Sequence, residues 1–96
     1  MRRDDVLKVL RTHYAGIQGF GVSSMILFGS TARDEAGPES DVDILVEFRC
    51  PVGYFALARL STYLEQLLGS RVDLVTAGAL TDHLRERIQQ EAVRAA

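Results

Sequence analysis

Asp41 and Asp43 stand two residues apart in the run Ser40-Asp-Val-Asp-Ile-Leu-Val46, ten residues after a Gly29-Ser30 step. Val42, Ile44, Leu45 and Val46 suit a buried strand, and residues two apart on a strand point to one face. The two carboxylates therefore project together, while Val42 and Ile44 face the other layer. Carboxylates side by side repel each other, so stability alone does not account for them. A hard divalent cation, which takes oxygen ligands, does. The apolar run from Met25 to Phe28 stops at Gly29-Ser30. A Gly-Ser step that ends a strand and opens a helix offers backbone N–H groups to a phosphate. A third acid, Asp73, lies in Val72-Asp-Leu-Val75 among apolar neighbours. Metal-binding carboxylates facing a phosphate-binding turn suggest nucleotide chemistry.

These residues need elements to bring them together. Asp4 or Asp5 can cap a first helix that carries Val6, Leu7, Leu10, Tyr14 and Ile17 on one side, ended by Gly16, Gly19 and Gly21. Residues 22–28 read as a strand, fully buried from Ile26 to Phe28. Residues 30–35 read as a short helix broken by Gly37-Pro38, and 42–48 as a second strand. After a loop at 50–53, residues 54–68 place Leu57, Leu60, Leu64, Leu67 and Leu68 at helical spacing, with Gly69 at the C-cap. Residues 71–75 are a third strand, 76–80 a turn, and Thr81 can cap a last helix to about residue 94. The order α-β-α-β-α-β-α predicts an α/β (α+β) fold, a small mixed sheet with helices packed on it. The strand–helix–strand crossover makes the second and third strands parallel, which places Asp41 and Asp73 side by side near their starts. If the first strand is antiparallel to the second, its Gly29-Ser30 end meets the same corner.

Composition narrows the classes. With 96 residues, 47% hydrophobic and 25% charged, the chain reads as one globular domain over residues 1–96. A net charge of −2 argues against a general nucleic-acid binder, which would carry a basic excess. Cys50 is the only cysteine, so no internal disulfide and no zinc-ligand set is expected. No apolar segment follows Met1-Arg-Arg-Asp-Asp and no run approaches a membrane span, so the expected location is cytoplasmic. His13 and His83 lack metal-spaced companions and read as surface residues, and Cys50 beside Pro51 reads as a packed thiol.

Gly29-Ser30, ten residues, Asp41-x-Asp43 and a later strand acid at Asp73 resemble the nucleotidyltransferase fold shared with DNA polymerase beta. The segments Gly-Ser-Thr-Ala-Arg, Ser-Asp-Val-Asp-Ile-Leu-Val-Glu-Phe and Arg-Val-Asp-Leu-Val-Thr resemble the minimal nucleotidyltransferase (MNT) family, and the resemblance spans essentially the whole chain. Members of that family are commonly antitoxins of HEPN-domain ribonuclease toxins. The resemblance implies that Asp41, Asp43 and Asp73 hold Mg2+, and that Asp73 also acts as base toward the attacking hydroxyl. Gly29, Ser30 and Arg33 would hold the nucleotide phosphates. Two ions roughly 3.5–4 Å apart would clamp the attacking and leaving oxygens of an in-line displacement. The implied reaction is AMP transfer from ATP to a toxin tyrosine, with the toxin as hetero-oligomeric partner. One departure is Asp34, where the family often has glycine; it can alter the turn or add negative charge near the phosphates.

Other readings stand beside these. Asp41 and Asp43 can be exposed strand acids, Asp73 can pair with Arg71, Ser30 can simply cap the short helix, and Arg33 can serve a structural ion pair. Ser40 fits as the shaper of the turn before the strand. Phe55 and Tyr63, eight residues apart with Arg59 between them, form an aromatic–arginine stripe that suits either a partner interface or core under a loop. The functional alternative is an antitoxin that masks its toxin by binding, with the nucleotide site vestigial or regulatory. A small-molecule nucleotidyltransferase would need an acceptor pocket that the sequence does not display.

Overall fold

The computed structural model describes residues 2–33, 41–76 and 82–94. Helix α1 (Arg3–Thr12) buries Val6, Leu7 and Leu10, one stripe of an amphipathic helix. Neither Asp4 nor Asp5 is its cap: the N-cap is Arg2, and both acids sit in the first turn, where they complement the positive end of the helix dipole. The helix breaks at His13, so Tyr14 and Ile17 belong to a separate short helix, α2 (Tyr14–Gln18). Strand β1 (Val22–Phe28) leads directly into α3 (Gly29–Ala32), shorter than the expected 30–35. The expectations for Asp34, Gly37-Pro38, Ser40, the turn after Thr76 and the Thr81 cap fall outside the described residues.

Strand β2 (Val42–Phe48) and helix α4 (Tyr54–Leu68) have the expected bounds. Leu60, Leu64 and Leu68 recur every four residues as the buried ridge of α4, and Gly69 ends it in the left-handed conformation at φ 66°. Strand β3 (Val72–Thr76) follows, then α5 (Asp82–Glu91). The final helix stops short of residue 94, and Val93–Arg94 form a short strand, β4.

The sheet runs in the order β3-β2-β1-β4. β1 is antiparallel to β2 and to β4, while β2 and β3 are parallel, as their helical crossover requires. Val42, Ile44 and Val46 face a core built with Leu10, Leu27, Leu60 and Leu64, on the side of α1 and α4. The alternate residues build a smaller cluster on the opposite face, where Phe28, Leu45 and Ile88 are buried and Ile26 and Val75 pack against them. Burial on both faces explains why β2 reads as an almost unbroken apolar run.

Candidate active site

Register decides which acids meet. Val42 is the partner of Val72 and Asp43 the partner of Asp73 in the parallel pair, while Phe28 opposes Asp43 in the antiparallel one. The strand neighbour of Asp73 is therefore Asp43, not Asp41. The two acids share the face that carries Leu45, Phe28 and Ile88, at the end where β2 and β3 begin and β1 finishes. Asp43 is half-buried and Asp73 exposed.

Asp41 lies just before β2, two register positions outside that pair. Its Oδ1 forms an ion pair with Arg71 Nε at 3.3 Å, across the gap between the strands. Arg71 thus engages Asp41 rather than Asp73. The two side chains are 80% and 48% exposed, so the pair is worth at most about 1 kcal/mol. Among the described residues, no group of three or more His, Cys, Asp or Glu is arranged to hold a metal ion. The donor chemistry fits all the same: the registered pair Asp43 and Asp73 presents carboxylate oxygens alone, the ligands of a hard cation such as Mg2+. Asp41, two residues before Asp43 and on the same face, carries a further carboxylate that is engaged by Arg71.

The glycine–serine turn is fitted to this corner. Gly29 is buried at φ 75°, and a side chain there would collide with the Asp43 carboxylate. Only glycine meets both demands. Ser30 is half-buried and belongs to the helix itself; the N-cap is Phe28, so Ser30 is not a cap. Thr31 is 1% exposed, and its Oγ1 has no hydrogen-bond partner among the described residues. Arg33, at the C-cap of α3, is exposed.

Two supports escaped the sequence. An Arg3 guanidinium N–H donates to the Ala32 carbonyl at 3.4 Å and ties α1 to the end of the turn. Glu65 Oε2 accepts from the Val72 N–H at 3.1 Å and ties α4 to the start of β3. Neither contact has a local signature, because the partners are brought together only by tertiary packing. Arg71 did have one, since it precedes Asp73 by two residues and must share its face.

The aromatic stripe divides. Phe55 is 80% exposed, next to Tyr54 at 78%, and Arg59 is exposed. Tyr63 is half-buried, its ring centroid 5.1 Å from that of Phe20, and its hydroxyl lies against the backbone of Gly16. It packs on the main core. A groove of about 610 Å³ along the outer side of α4 is still lined by Phe55, Arg59 and Tyr63 together. His13 and His83 are exposed as expected, whereas Cys50 is an exposed free thiol rather than a packed one, because its loop follows β2 at the surface.

Residues 4–95 match the family model of the nucleotidyltransferase domain. Protein adenylyltransferase MntA of Thermococcus cleftensis is 37% identical over 91 residues, covering 94% of this chain and 92% of that protein. A solved structure described as a "putative minimal nucleotidyltransferase" superposes with TM-score 0.74 at 37% identity, covering 97% of this chain and 95% of that one. A complex of the tri-AMPylated Shewanella oneidensis HEPN toxin with its MNT antitoxin matches with TM-score 0.62 at 22% identity, a likeness of fold that covers 98% of this chain and 68% of that one. The Gly29-Ser30 turn, the registered acids and the sheet that carries them accordingly place this chain in the nucleotidyltransferase domain family, among its minimal members.

Proposed function

We propose that this chain is an antitoxin that neutralises a HEPN-family ribonuclease by Mg-dependent transfer of AMP from ATP to a tyrosine of the toxin. The observation that carries the reading is the convergence of three chain segments: Asp43 registers with Asp73, and its carboxylate packs against Gly29 at the turn that ends β1. The relatives named above, one a protein adenylyltransferase and one a partner of an AMPylated HEPN toxin, support the choice of AMP and of acceptor.

In this reading Gly29 and Ser30 receive the nucleotide phosphates through backbone N–H groups and the Ser30 hydroxyl, and Arg33 adds a positive contact. Asp43 and Asp73 would hold Mg2+, with Asp41 joining as it leaves Arg71. When bound, the ion neutralises phosphate charge and favours in-line displacement. Asp73 takes the proton of the tyrosine hydroxyl. The tyrosine oxygen bonds to the α-phosphorus, the bond from that phosphorus to the bridging oxygen breaks, and pyrophosphate leaves with that oxygen.

Among the described residues no helix is long and apolar enough to cross a membrane, and a cytoplasmic location agrees with ATP as substrate. A second reading, steric masking without chemistry, draws on the exposed Tyr54 and Phe55 and on the ion pair that occupies Asp41. Incubation with the neighbouring gene's product, ATP and Mg2+, followed by intact-mass measurement, tests the choice. The expected result is a toxin heavier by one or more AMP units. An unmodified toxin that is nonetheless silenced selects the steric reading.

A further inference from the structure

The two edges of the sheet differ. On one side β1 is covered by β4; on the other β3 is terminal, with no strand beyond it among the described residues. The Val42 N–H donates to the Arg71 carbonyl at 2.8 Å, and Val42 registers with Val72. In a parallel ladder this turns the backbone groups of residues 71, 73 and 75 toward β2, and those of Val72, Leu74 and Thr76 outward. Glu65 meets the first outward donor, the N–H of Val72. Leu74 and Thr76 lie beyond that clamp. Proteins usually blunt such an edge with proline, lysine or a bulge, and Val-Asp-Leu-Val-Thr contains no proline and no lysine. Beside this edge runs a groove of about 380 Å³ between β3 and α4, walled by Ala58, Ser61 and Tyr54 on the helix and by Asp73 and Leu74 on the strand.

The geometry points to this edge as the track on which the acceptor enters: an extended segment of the partner protein lies along β3 as an added strand and delivers its tyrosine hydroxyl to Asp73. The inference rests on the function proposed above, in which Asp73 receives the acceptor proton. The Asp73 side chain faces the other side of the sheet from this groove, with that of Asp43, so a strand added along β3 that seats one side chain in the groove turns its next one toward that carboxylate. The groups on offer are main-chain donors and acceptors repeating every second residue, which an extended peptide matches and a nucleotide does not. Ala58 and Ser61 are small and leave room for the peptide's side chains. Tyr54 lines the groove and, with Phe55 beside it, adds exposed aromatic surface of the kind that anchors interfaces.

The test is amide exchange by NMR on the 15N-labelled chain, alone and in complex with its HEPN toxin. Binding along the edge slows exchange at Leu74 and Thr76, the outward amides, and leaves Asp73 and Val75, already bonded to β2, little changed. Unchanged exchange at Leu74 and Thr76 in the complex overturns the inference. So does protection that appears without toxin and grows with protein concentration, since the occupant is then a second copy of this chain. Ser61 is half-buried where it lines the groove, so Ser61→Arg fills it. It is expected to slow AMP transfer to the toxin at least about tenfold while keeping the ATP-and-Mg2+ melting shift; unaltered transfer counts against the track. Transfer without protection at Leu74 and Thr76 refutes the track alone, whereas protection without transfer refutes the catalytic reading and leaves docking along the edge standing.

Discussion

The Asp43 carboxylate occupies the space that a side chain at position 29 would need, so one glycine sets both the turn and the acid's position. Gly29→Ala combines a left-handed backbone with a clash, and is expected to cost about 1–3 kcal/mol. It should also abolish the thermal shift given by ATP and Mg2+, which calorimetry with and without ligand will separate; a variant with parental stability and shift would mean that the turn is not fitted to the acid. Asp41 obeys a different logic. Its contact with Arg71 is mostly in solvent, so Asp41→Asn should change metal-free stability by no more than about 1 kcal/mol in either direction. Loss of the Mg2+-and-ATP shift is nevertheless expected, because asparagine brings no charge to a cation. A strongly destabilised metal-free Asp41→Asn protein would instead make Asp41 a structural partner. The candidate site was legible in the residue types and in the Gly-Ser-x10-Asp-x-Asp spacing, but not in its pairing. Choosing Asp43 over Asp41 as the neighbour of Asp73 takes a register, and a strand start read one residue early moves every pair by one.

The strongly patterned elements, β1, β2 and α4, had the bounds their sequences imply, since each buries a run or a ridge that cannot slide without exposing apolar side chains. The ends were harder. His13 interrupts what reads as one continuous helix, and the two-residue β4 carries too few residues for any alternation to declare it. The helical stripe of Phe55 and Tyr63 shows the limit of periodicity: positions eight apart share a face, yet one end of α4 stands clear while the other meets Phe20 and Gly16 on neighbouring segments. The two aromatics should therefore behave oppositely. Tyr63→Ser loses packing on the core and is expected to cost about 2–3 kcal/mol, which lowers the melting temperature by about 10 °C or more for a domain of this size. Phe55→Ser should stay within about 0.5 kcal/mol of the parent while weakening the toxin complex, read by calorimetric titration. Equal losses of melting temperature in the two variants would contradict this division.

At the scale of the whole molecule, the proposed chemistry and the proposed partner surface fall on different parts. The acids and the Gly29 turn lie on the face covered by α5, at the start of β2 and β3, whereas the exposed aromatics lie on α4, across the sheet. A variant can therefore remove one and spare the other. Asp73 is the acid to choose, because it is exposed on the edge strand beside Asp43 and contributes nothing to either apolar cluster. Asparagine keeps its shape but can neither accept the tyrosine proton nor bring a negative charge to a cation. Asp73→Asn is thus expected to fold, to hold the toxin with near-parental affinity, and to transfer AMP about two to four orders of magnitude more slowly. Intact-mass time courses measure the transfer, and survival of cells expressing toxin with each variant measures its consequence. If transfer silences the toxin, Asp73→Asn binds without protecting. Should Asp73→Asn, Asp41→Asn and Ser30→Ala all protect as well as the parent, the chemistry is dispensable and the surface of α4 carries the function.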